Sequence, residues 1–137
     1  MKRKKLINSE KTINIILIIS ILMLGGMFAY INLVQYKYGM NADIASEGLL
    51  ARAIWESKEW IPKEWYFSTE SKVVGVTNLA SLFYGMTGSM CTAMGLGCIA
   101  GILFIVWGLY YLCQGLEFDF TQTLLFIVLI LLLRLFH

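Results

Sequence analysis

Charge is laid out along this chain in blocks. Eleven of its twenty Asp, Glu, Lys and Arg residues lie between Lys37 and Lys72, while residues 12 to 36 and 73 to 116 carry none. A hydrocarbon core about 30 Å thick is crossed by roughly 20 apolar helical residues, because each advances the helix axis by about 1.5 Å. Both uncharged tracts are longer than that. The pattern predicts an all-α membrane protein with three or four transmembrane helices and an outer loop of juxtamembrane helices.

Composition points the same way. With 58% apolar and 15% charged residues and a mean hydropathy of +0.71, a water-soluble chain of 137 residues could not hide its apolar surface. Lys2, Arg3, Lys4, Lys5 and Lys11 all precede the first apolar run. By the positive-inside tendency the N-terminus stays in the cytoplasm and the charged loop faces outward. The run is longer than the apolar core of a signal peptide and shows no clear small-x-small cleavage site, so it reads as an uncleaved anchor. Topology alone explains the short basic cluster, and no nucleic-acid partner is expected. Cys91, Cys98 and Cys113 are odd in number and form no C-x-x-C pair, and the only His is residue 137. They read as small packing residues rather than a zinc or redox site.

The expected order is a basic cytoplasmic segment over 1–11, a first span over 12–36, and an outer loop over 37–72. The loop contains an amphipathic helix at about 42–58, capped by Asn41 or Asp43 and ended by Pro62. Tyr30, Tyr36 and Tyr38 supply an aromatic belt. The 44 uncharged residues from 73 to 116 are too many for one crossing, and Gly85, Gly88 and Ser89 suggest the break. Residues 73–88 would form a juxtamembrane or re-entrant helix, and 90–113 a strong span carrying the G-x-x-x-G of Gly97 and Gly101. A turn over 114–119 leads to a last helix over 120–137, so short a span that the chain reads as the front portion of a longer protein. Arg134 favours four crossings; Thr77, Asn78 and Ser81 in the 73–88 piece favour three.

Several residues of the loop have chemistry to offer. Asp43 and Glu47, four apart, share a helix face that continues into Leu50, Ala51 and Ile54. Carboxylates in line with an apolar stripe turn toward protein or membrane, where burial can equip one as a proton acceptor. The plainer reading is that Asp43 caps the helix while Glu47 favours its positive end. Lys58, Lys63 and Lys72 suit lipid headgroups or a bound phosphate. Trp60, Trp65, Tyr66 and Phe67 suit interface anchoring or sugar stacking.

The order Asn-Ala-Asp-Ile-Ala-Ser-Glu at 41–47, Ile-Trp-Glu at 54–56 and Pro-Lys-Glu-Trp-Tyr-Phe-Ser-Thr-Glu at 62–70 resembles the first outer loop of bacterial multi-spanning membrane glycosyltransferases with the GT-C fold. The likeness is closest to an uncharacterised branch from low-GC Gram-positive bacteria and runs from the first span through the second. It implies a multi-pass protein of the bacterial cytoplasmic membrane, acting in the cell envelope on a polyprenyl-phosphate sugar donor. Asp43 would be the general base, with Glu47 supporting it or binding the acceptor. Trp65, Tyr66, Ser68, Thr69, Glu70 and Lys72 would line the substrate cavity, with Lys72 near the phosphate. No cofactor is implied and no divalent metal is assigned.

The chain departs from that pattern in placing Lys72 where an Arg is expected, and Ser89, Met90, Cys91 and Thr92 where relatives carry polar and basic residues. It also has fewer spans than such enzymes need to enclose a lipid-linked donor, so the expectation is a fragment or truncated relative, inactive alone. The alternative is a small non-enzymatic membrane protein that packs against a larger membrane partner through its glycine-bearing span and outer helix. A transporter role is disfavoured, because no span has a charged residue near its centre.

Overall fold

The computed structural model describes residues 2–39, 41–63, 65 and 75–135, and among them every regular element is helical. They form α1 (Lys2–Tyr30), α2 (Ala42–Ser57), α3 (Val76–Thr87), α4 (Met90–Gly115) and α5 (Phe120–Leu135). Two stretches are long and apolar enough to cross a membrane: Ser9–Gln35, which is α1 with its C-terminal extension, and Met90–Gly115. α5, with 16 residues, is shorter. Two candidate spans are fewer than the three or four expected. In the first, Ile15, Leu22 and Met23 are 58%, 69% and 72% exposed, and no residue of its most apolar window is buried.

The chain divides into two compact units. Residues 1–28 with 104–137 make one and residues 29–103 the other. In the first, the Thr121 hydroxyl donates to Asn14 Oδ1 at 2.8 Å, tying α5 to α1 through side chains. Cys113 and Thr123 are its most deeply buried side chains. Between α4 and α5 the chain reverses over four residues. The Phe118 N–H bonds the Cys113 carbonyl at 3.0 Å, and Asp119 and Gln122 cap α5 reciprocally at 2.8 and 3.0 Å.

In the second unit α1 runs on as a π-helical turn, Ile31–Gln35, and a 3₁₀ turn, Tyr36–Tyr38. The π-turn meets α4 at Gly95, where a Cβ would strike the Asn32 carbonyl. α2 and α3 pack together and onto the first turns of α4 by small residues, with Ala51, Ala80 and Met94 forming the core. Gly97 lies against α3: its Cβ would sit 3.0 Å from Ala80 N and from the Val76 carbonyl, while at Gly101 the nearest neighbour is Val76 Cγ2 at 3.6 Å. At Gly97 the G-x-x-x-G is therefore filled from within the chain.

The α3–α4 break falls at Gly88, one of the three residues expected to make it, whose φ of 65° is left-handed, while Gly85 stays helical. Two local expectations change. α2 stops before Pro62, at Lys58, which is left-handed itself (φ 58°) and donates its N–H to the Ile54 carbonyl. That conformation costs about 1–2 kcal/mol in a residue with a Cβ, and the Lys58 ammonium sits 3.2 Å from the centre of the Trp55 ring as a partial offset. Tyr36, expected in the belt, is only half-exposed. It packs against the Ala51–Ala80–Met94 core, whereas Tyr30 and Tyr38 are 55% and 80% exposed.

Candidate functional site

α2 is the element that carries the acid pair, and its start is fixed by Asn41. The Asn41 side-chain oxygen accepts the Ile44 N–H at 2.9 Å, closing the first turn. Asn41 rather than Asp43 is thus the N-cap. Asp43 stands one residue into the helix, exposed, where a carboxylate also favours the positive helix end. Its carbonyl accepts the Ser46 hydroxyl at 2.8 Å, and this bond leaves the carboxylate uninvolved.

One turn on, Glu47 is half-buried and Gly48, Leu50, Ala51 and Ile54 are buried. The apolar stripe read from the sequence exists, but only Glu47 of the two acids sinks into it. Glu47 lies near enough to Tyr36 to act on it. The Tyr36 phenol, just beyond the first candidate span, is pushed up to about 12, chiefly by burial, with Cys98, Glu47 and Cys91 adding to the rise. Tyr36 is thus a neutral hydrogen-bonding group at any physiological pH. This meeting of Tyr36 with Glu47 has no signal in the sequence, because the residues are eleven apart across a change of helix type.

Beside Glu47 an apolar pocket of about 140 Å³ opens among Tyr36, Ile44, Gly48, Met90, Cys91 and Met94. Gly48 forms part of its wall, and a Cβ there would lie in ordinary contact, 3.5 Å from Met90 Cβ. Cys91 and Cys98 are half-buried free thiols and Cys113 a buried one, and no group of three His, Cys, Asp or Glu among the described residues could hold a metal.

Of the cationic candidates, Lys63 pairs with Glu59 at 3.2 Å and Lys58 caps the Trp55 ring. Trp65, half-buried, donates its N–H to the Pro62 carbonyl. Tyr66, Ser68, Thr69, Glu70 and Lys72, the remaining residues of the expected cavity, lie outside the described residues. Among family models, curated proteins and solved structures, no match to the chain was found.

Proposed function

We propose that this chain is a three-span protein of a bacterial cytoplasmic membrane, with α1, α4 and α5 crossing, the N-terminus inside and α2 outside, and that it belongs to a membrane glycosyltransferase in which Asp43 is the general base. The exposed aliphatic surface of α1 supports the membrane setting, since leaving a Leu or Ile side chain in water forgoes about 1.5–3 kcal/mol. The order of residues at 41–47 and 62–70 supports the reaction class by resemblance.

Asp43 is exposed rather than sheltered as expected, and one observation supports its role: Asn41 has taken the capping position, so the carboxylate at 43 is not consumed in closing the helix. In the reaction, Asp43 removes the proton from an acceptor hydroxyl as its oxygen bonds to the anomeric carbon. The bond from that carbon to the polyprenyl-phosphate oxygen breaks, and its electron pair leaves with the phosphate. Glu47, beside the neutral Tyr36 phenol, holds the acceptor. Further membrane helices would wall the site against water, which preorganisation requires.

Membranes from cells expressing this chain together with the rest of the glycosyltransferase, supplied with a radiolabelled polyprenyl-phosphate hexose, test this. A general base supplies about 10²–10⁴-fold, so Asp43→Asn should cut label transfer by at least about a hundredfold while Glu59→Gln leaves it intact. Undiminished transfer by Asp43→Asn removes that residue from the mechanism.

A further inference from the structure

α3 is amphipathic the wrong way round for water. Thr77, Asn78, Ala80 and Ser81 are buried against the rest of its unit. The opposite face is formed by Leu79, Leu82, Phe83 and Met86, which follow one another at helical spacing. Leu82 is 59% and Met86 82% exposed. In a soluble protein the core takes the apolar face; small and polar residues at the helix contact, with aliphatics outside, are the arrangement of helices packed in lipid.

Several polar groups of α3 are also satisfied from within, as hydrocarbon favours. Asn78 Oδ1 accepts the Gly75 N–H at 2.9 Å while the Asn78 N–H returns to the Gly75 carbonyl at 3.2 Å, so the N-terminus closes on itself. The Ser81 hydroxyl donates to the Asn78 carbonyl at 2.7 Å and that of Thr87 to the Phe83 carbonyl at 2.9 Å. At the other end the Gly88 N–H bonds the Tyr84 carbonyl, and the candidate span Met90–Gly115 begins two residues later. A chain advances at most about 3.6 Å per residue, which keeps the end of α3 within about 10 Å of the mouth of that span. With 12 residues α3 is about 18 Å long, too short to cross.

We propose that α3 is immersed in the bilayer without crossing it, its Leu79–Leu82–Phe83–Met86 face lying against phospholipid acyl chains and its polar face turned to α2 and α4. The inference rests on the membrane reading above and adds that lipid reaches past the start of α4 onto α3.

Nitroxide labels at Leu82, Met86, Arg52 and Leu22 test it, each introduced singly through Cys in a chain with Cys91→Ser, Cys98→Ala and Cys113→Ala. The protein is reconstituted in phosphatidylcholine–phosphatidylglycerol vesicles. Relaxation by oxygen should dominate over relaxation by a water-soluble nickel chelate at Leu82 and Met86, and the reverse should hold at Arg52. Chelate dominance at Leu82 and Met86 would overturn the inference, as would shielding from both reagents, which would mean a protein partner covers the face. The label at Leu22 separates the two readings: if it is lipid-accessible while Leu82 and Met86 are not, only the placement of α3 falls.

Discussion

The ring of Trp55 occupies the space that a Cβ on Gly85 would need, so the last turns of α2 and α3 meet where a tryptophan is seated on a glycine. Lys58 covers the same indole. Gly85→Ala should therefore displace the ring and cost about 1–3 kcal/mol, the range for an overpacked contact. Gly25→Ala, with nothing within 4 Å of the added methyl, should be neutral or slightly stabilising. Unfolding in mixed detergent, followed by tryptophan emission, measures both.

Gly97 makes a different demand. Its neighbours at 3.0 Å include backbone atoms of α3, which cannot swing aside as a side chain can. Gly97→Ile should separate α3 from α4, lowering stability by more than 2 kcal/mol, whereas Gly101→Ala, against a methyl at 3.6 Å, should be tolerated. Equal effects at the two positions would contradict the packing described.

The Asn14–Thr121 bond joins side chains 107 residues apart in sequence. Interhelical hydrogen bonds of this kind contribute about 0.6 kcal/mol on average and at most about 1.7 in lipid. Asn14→Leu should lose that amount, and a double-mutant cycle with Thr121→Val should recover it as coupling.

Tyr36 predicts a pH dependence. Its phenol is held up to about 12, against an ordinary value of 10.0. Because the folded state favours the protonated form, this contribution is fully present below pH 10 and is lost as pH rises toward 12. Absorbance at the phenolate band should include a late-titrating component that Tyr36→Phe removes.

The two candidate spans were legible because absence of charge over a bilayer's width is a one-dimensional property of the sequence. So was α2, whose small residues and Asn41 cap are local. What could not be read depended on partners distant in sequence. Tyr36 looks like a belt residue, since a tyrosine at the end of a span has the same neighbours in sequence whether its ring meets headgroups or Ala51, Ala80 and Met94. Gly85 looks like a helix break, and only the approach of Trp55 shows why a glycine sits in mid-helix. The polar residues of α3 set it apart from the other apolar tracts in the sequence, yet their inward orientation is set by packing. Of the candidate site, Asp43 and Glu47 were found by spacing, and Tyr36 beside Glu47 was not.

The account depends on α2 standing outside the membrane with Asp43 open to substrate. The most direct measurement is labelling of Ser46→Cys and Glu56→Cys, in the chain lacking its three native cysteines, with a membrane-impermeant maleimide on intact cells. Both positions are exposed one face apart on α2, and both should label without permeabilisation. Labelling only after the cells are opened would place the acid pair in the cytoplasm and contradict the account.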